Sequence, residues 1–186
     1  AVIALAKAGK AVACTKPLGR NADEAADMLR AVTEAGVFSA YLENVIFNPD
    51  LLRMRDMVEA GAIGRLTTVR AREGHSGPHA AHFWDAELAG GGALLDMASH
   101  GAEYARFLFG KDLAVTEVFA WGATLVHGDR TTGEDNAMMI MRFADGRAAT
   151  VDVSWSSKGG LEGRFEAYGD AGRLITVSLT RQDIAD

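Results

Sequence analysis

The chain has 186 residues, 48% hydrophobic, 24% charged and 8% aromatic, with a mean hydropathy of +0.02, proportions that exclude disordered, collagen-like and disulfide-scaffold classes. Lys+Arg 19 against Asp+Glu 25 gives a net charge of −6, which excludes nucleic acid or an anionic membrane as the main partner, since both call for a basic face. A single cysteine, Cys14, excludes an internal disulfide, and with no leader pattern and no run of about 18 apolar residues the expectation is a cytoplasmic chain.

Residues 1–9, AVIALAKAG, read as the last two turns of a helix closed at Gly9, the residue type favoured just past a helix end. AVAC (11–14) has strand length, and Thr15-Lys16-Pro17 follows it. Asn21 or Asp23 caps a helix to about Ala35, with Ala25, Ala26, Leu29, Val32 and Ala35 near helical spacing; Gly36 closes it and 37–44 resume a strand. Helix–strand–helix–strand with short loops is the rhythm of a parallel α/β layer at the edge of a doubly wound sheet. The rhythm then changes. Pro49 opens a helix to about Ala60, 66–73 read as a strand, a Gly- and His-containing loop covers 74–92, and a helix runs from Ala93 to Phe109. Strands at 115–126, 136–143, 147–156, 163–169 and 172–178 follow without helices between them, with turns at Asp145-Gly146 and Asp170-Ala171-Gly172. Consecutive strands with tight turns predict antiparallel pairing, hence an α/β piece followed by an α+β unit with a mainly antiparallel open sheet.

Three segments could carry chemistry. At 100° per residue Asp96, His100, Glu103 and Phe107 share a sector of the 93–109 helix, opposite Leu94, Met97, Gly101, Ala105 and Leu108. An Asp and a His four apart can reach one another or one shared ligand, and a neutral imidazole beside a carboxylate suits a general base. An amphipathic helix with a merely solvated polar face has the same pattern. Lys16-Pro17 stands straight after a strand, where open α/β sheets gather ligands; an ordinary surface lysine reads no differently. In the loop His75-Ser76-Gly77-Pro78-His79-Ala80-Ala81-His82-Phe83-Trp84-Asp85 the histidine spacing matches no zinc pattern, so no metal is expected. A polar, aromatic-tipped loop touching a hydroxylated ligand fits better, with His79 and Trp84 as contacts.

Together these segments resemble the Gfo/Idh/MocA family of NAD(P)-dependent oxidoreductases. AGKAVACTKPLGRNADEA is similar to the family's aGKhVlcEKPla segment, ENVIFNPDLLRMRDMVEAGAIGRL to its link into the second domain, and WDAELAGGGALLDMASHGAEYARFLFG to its W…GGGxLxDxxxHxxDxxxxLxG signature. EDNAMMIMRFADGRAATVDVSW resembles the strand pair that follows. Thr15 stands where the family's EKP triplet has its acid. The resemblance implies that residues 1–43 are the C-terminal remnant of a dinucleotide-binding Rossmann domain, whose Gly-rich phosphate turn would lie upstream of Ala1, and that 44–186 form a substrate-binding and oligomerisation domain. It implies NAD or NADP as cofactor, a sugar or polyol substrate, His100 as proton acceptor, and Asp96 orienting the imidazole or holding a substrate hydroxyl. Lys16 would face the developing alkoxide, with Lys16, Pro17 and Asn44 on the cofactor side and Trp84, His79 and Asp96 on the substrate side. Asn44 could equally do no more than cap the following turn. Two alternatives accompany this: an NAD-dependent glycoside hydrolase of the same family, or an inactive folding or oligomerisation module. A homo-oligomer is expected through the sheet of the second unit, with Met139, Met141, Val151, Val153 and Trp155 as its apolar surface.

Overall fold

A computed structural model describes residues 1–180. The first layer is small. Helix α1 (Val2–Lys7) leads to strand β1 (Val12–Thr15), helix α2 (Ala22–Ala35) and strand β2 (Ser39–Leu42), and the two strands pair in parallel from Val12↔Ser39 to Thr15↔Leu42. Asn21 caps α2 by accepting the Glu24 N–H at 2.9 Å, and Gly36 ends it in the left-handed conformation at φ 62°. Ala6, Val12 and Val32 form the buried centre of this layer.

A 3₁₀ turn (Val45–Phe47) and helix α3 (Pro49–Glu59) lead to strand β3 (Leu66–Gly74). The segment read as a loop contains a second 3₁₀ turn (Ala81–Trp84) and the short helix α4 (Ala86–Ala89), capped by the Asp85 carboxylate. Helix α5 (Ala93–Phe109) and strands β4 (Val115–Ala123), β5 (Asn136–Phe143), β6 (Ala148–Ser154), β7 (Leu161–Gly169) and β8 (Arg173–Thr180) complete the second layer. The six-stranded sheet has the order β4-β5-β6-β3-β7-β8. Its pairings are antiparallel except β3 with β6. Here the expectation of antiparallel neighbours along the chain needs correction: β6 and β7 are not adjacent, because β3 lies between them. The hairpins at Asp145-Gly146 and Asp170-Ala171-Gly172 form, whereas residues 155–160, WSSKGG, make a longer connection that spans the gap despite their Gly-Gly pair.

Helix α5 covers one face of this sheet. Tyr104, Ala105 and Phe109 pack over Val69, Ala71, Met141, Phe143, Ala149, Phe165 and Ala167. Ala93, Met97 and Ala98 pack over Ala137, Val151, Val153 and Trp155. Each large side chain buried here contributes roughly 1.5–3 kcal/mol. Gly101 sets the approach: a Cβ there would lie 2.6 Å from Val151 Cγ1 and 3.0 Å from Ala71 Cβ. The proposed interface residues Met139, Met141, Val151, Val153 and Trp155 are therefore under α5, and Trp155 is fully buried. The face left open carries Phe119, Trp121, Met138 and Ile140 instead. Strand β5 reads NAMMIMRF, apolar on both faces, so its sequence does not say which face the helix takes. Among the described residues no helix is long and apolar enough to cross a membrane.

Candidate functional site

The first turns of α5 stand beside the end of β1, and the site is assembled there. Gly92 lets this happen: a Cβ on it would sit 2.0 Å from the Glu134 carbonyl oxygen. The Glu134 carboxylate accepts the N–H groups of Gly92 at 3.2 Å and Leu94 at 2.9 Å, and its carbonyl accepts that of Ala93 at 2.8 Å. The otherwise uncapped N-terminus of α5 is thus held by Glu134, two residues before β5.

Lys16 and Asp96 meet across the two layers. The ammonium donates to Asp96 Oδ1 at 2.8 Å and to the Asp96 carbonyl at 2.5 Å, so one of its three donors remains. Trp155 Nε1 donates to the other oxygen, Oδ2, at 3.0 Å, and His75 Nε2 stands 3.9 Å from it. Both carboxylate oxygens are occupied. Lys16 is followed by Pro17 through a cis peptide.

His100 is buried, with its Nδ1 in contact with Glu43, itself 3% exposed. Asp96 therefore does not orient the imidazole as the sequence implied; Glu43 does. Burial pushes the Glu43 carboxyl up, but the His100 ring and the N–H groups of Val45 and Ile46 outweigh it and hold the carboxyl below its usual value. An ionised carboxylate only accepts, so Nδ1–H is the donor, and the lone pair of the ring in its neutral form falls on Nε2. Nε2 has no hydrogen-bond partner among the described residues.

Two further groups enter from β3 and the residues after it. Val69 and Ala71 are buried on the α5 side, and Glu73 follows on the same face. Burial pushes its carboxyl up to about 7, against the pull of the nearby His100 and Lys16 charges. Burial holds the His75 imidazole below its usual value, although Asp96 pulls the other way.

Of the other residues singled out in the sequence, Trp84 is partly buried, its ring 5.6 Å from that of Trp155 and 5.1 Å from that of His127, with the Arg130 guanidinium 3.7 Å above it. It joins the site through Trp155. His79 is exposed, acting on His75 only through charge. Asn44 is exposed beside Glu43, its carbonyl accepting the Phe47 N–H at 3.1 Å, and its side chain makes no cap hydrogen bond. Thr15 is exposed at the end of β1. The sequence reading missed Glu43, Glu73 and the Trp155 hydrogen bond, and named His75 only as the first residue of the candidate loop. The alternation Val69–Ala71–Glu73 marks Glu73 as a carboxyl on a buried strand face, and that signal was available.

Comparison with known proteins places this arrangement. The GFO/IDH/MocA C-terminal domain matches residues 51–175, from α3 into β8. The chain belongs to the GFO/IDH/MocA family. Myo-inositol 2-dehydrogenase of Thermotoga maritima is 33% identical over 182 residues, covering 96% of this chain and 52% of the relative. Among solved structures of the family, GenD2 from gentamicin A biosynthesis in complex with NAD superimposes with a TM-score of 0.88 at 30% identity, over 95% of this chain and 50% of that one. Levoglucosan dehydrogenase in complex with NADH and L-sorbose gives 0.82 at 28% identity, over 95% and 50%. The chain spans about half the length of the relatives it matches.

Proposed function

We propose that this chain carries the proton-transfer and substrate groups of an oxidoreductase that moves a hydride between a sugar or polyol hydroxyl carbon and NAD or NADP. The observation that carries the reading is His100: its ring is locked by Glu43, its Nε2 lone pair is open, and it lies one helical turn from the Lys16–Asp96 pair. One relative is named for inositol and another for levoglucosan, and the structures of GenD2 and levoglucosan dehydrogenase hold NAD and NADH respectively, in agreement with this chemistry.

In this reading the substrate hydroxyl gives its proton to His100 Nε2, and the Glu43 carboxylate stabilises the imidazolium that forms. The remaining Lys16 N–H steadies the alkoxide as it develops. Asp96, held by Lys16 and Trp155, fixes the ammonium in place. The nicotinamide, when bound, supplies the hydride acceptor. The donor set fits that group: Lys16, Pro17 and Asn44 cluster at the carboxyl ends of β1 and β2, where α/β sheets take ligands. Residues 1–43 then serve mainly the cofactor side, with Lys16 and Glu43 reaching the reacting groups, and 44–186 mainly the substrate side, with Trp84, His79 and Asp96 bordering the sugar.

The test is net NADH or NADPH formation by the gene product carrying this chain, offered myo-inositol, levoglucosan and simple hexoses. Turnover with a polyol supports the reading. Release of a sugar from a glycoside with no net reduced cofactor would replace it with the hydrolase alternative.

We propose further that copies associate through the open face of the six-stranded sheet. Phe119 and Trp121 on β4 lie opposite Ile140 and Met138 on β5, all four at least 46% exposed, a contiguous apolar patch of the kind that marks an association surface.

A further inference from the structure

Among the described residues three side chains tie 1–43 to helices α4 and α5 by hydrogen bonds: Lys16, Glu43 and Arg20. Lys16 and Glu43 are groups of the proposed reaction; Arg20 is not. The Glu24 carboxylate grips its guanidinium, Nε donating to Oε1 at 2.8 Å and Nη2 to the same oxygen, while the Arg20 backbone N–H donates to Oε2 at 3.0 Å. The remaining arm, Nη1, donates to the Glu87 carbonyl of α4 at 3.1 Å. One side chain thus joins the first turn of α2 to α4. The backbones meet at the same place. Gly90, at φ 88°, ends α4 against Arg20: a Cβ on it would lie 2.5 Å from Arg20 Cα and 2.6 Å from its carbonyl oxygen. Gly19, just before Arg20, packs on the start of α2, where a Cβ would lie 3.0 Å from the Ala25 nitrogen. Lys16 stands four residues before Arg20, and Asp96 six residues after Gly90. A lysine ammonium is a point charge on a flexible four-carbon stem, so the Lys16–Asp96 geometry depends on how closely the end of β1 approaches the first turn of α5. The Arg20–Gly90 joint fixes the chain shortly after the one and shortly before the other.

We propose that Arg20 is a positioning residue for the Lys16–Asp96 pair: clasped between Glu24 and the Glu87 carbonyl, and seated on Gly90, it registers the end of β1 on the Gly90–Gly92 turn, so that the ammonium stands where the alkoxide develops. The inference rests on the polyol-oxidoreductase reading above. The Arg20 side chain is half exposed, and an exposed ion pair contributes little to stability. A displacement of about 1 Å in a reacting group, by contrast, can cost about a hundredfold in rate. Loss of the clasp therefore registers in turnover far more than in stability.

Two measurements on the gene product carrying this chain test this. Nitrogen-15 NMR of the lysine ammonium groups, with Lys16→Met assigning the signal, reads the Lys16–Asp96 pair without cofactor. Arg20→Ala shifts or broadens the Lys16 signal, whereas Arg30→Ala, which breaks an ion pair with Asp27 on the same helix, leaves it in place. With NAD and myo-inositol, Arg20→Ala lowers kcat by about tenfold to a hundredfold and leaves KM for the polyol nearly unchanged, because the third Lys16 N–H acts on charge that develops only in the transition state. Its thermal midpoint moves by no more than a few degrees. A Lys16 signal unmoved in Arg20→Ala, a kcat equal to wild type in that variant, or an equal loss of kcat in Arg30→Ala overturns the proposal. A Lys16 signal that moves in a protein that oxidises no polyol leaves the clasp standing and overturns the proposed reaction instead.

Discussion

Glu43 and Glu73 both act on His100, yet their surroundings move their proton affinities in opposite directions. Glu43 is held below its usual value, so the stability it contributes is present above that value and is lost as pH falls through the lowered one. Glu73 is raised to about 7, so the folded state holds its proton more tightly than the unfolded chain, and stability falls as pH rises between about 4.5 and that value. At 1.36 kcal/mol per pH unit the whole cost is about 3 kcal/mol. Glu73→Gln removes it. Urea denaturation at about pH 5 and about pH 8 should show wild type losing roughly 2.5 kcal/mol more than the variant over that interval, the rest being lost below about pH 5; an identical pH dependence in both would contradict the burial of Glu73. Lys16, Asp96 and His100 are legible in the sequence because each sits at a position with geometric meaning, a strand end or an i, i+4 pair. Glu43 is not. It follows a strand whose residues are largely exposed, and nothing local says that its carboxylate reaches a helix 57 positions further on.

At the scale of elements, the loop between β4 and β5 determines how firmly the aromatic side of the site is held. Asp135, fully buried, accepts the N–H groups of Leu125 at 2.8 Å and of Val126 and His127 at 2.7 Å. Burial pushes its carboxyl up, but these donors and the Asn136 amide overcome that and bring it to about 2. The loop so folded lays His127 and Arg130 against Trp84. Asp135→Ala strands three inward N–H groups and should destabilise the chain by about 3 kcal/mol, measured by urea denaturation at neutral pH. The lowered value means that this contribution is present above about 4 and is lost as pH falls toward 2, so the gap between variant and wild type should close in acid. A variant as stable as wild type at neutral pH would contradict the role given to this carboxylate. The strands themselves are legible from alternation and turn residues, and the helices from spacing and caps. The place of β3 between β6 and β7 is not, because it depends on which strand the helix-covered core draws to the centre.

For the whole molecule, the open sheet face has apolar residues toward the β4 edge and ion pairs in the middle, where Arg72 meets Asp152 at 2.7 Å and Glu162 at 3.1 Å. Association through Phe119, Trp121, Met138 and Ile140 predicts a dimer or larger in sedimentation velocity at tens of micromolar, on the order of weak-interface affinities, and a monomer for Phe119→Glu with Ile140→Glu. A monomeric wild type would remove this claim. The most direct measurement of the central claim is the steady-state rate of NAD-dependent polyol oxidation by wild type and His100→Asn. The Asn amide can still donate to Glu43, so the fold and cofactor binding should persist, checked by circular dichroism and NADH titration. Turnover should fall by about 10²–10⁴-fold, the usual worth of a general base. Full turnover in a folded His100→Asn would mean that the proton goes elsewhere, and the account of this site would fail.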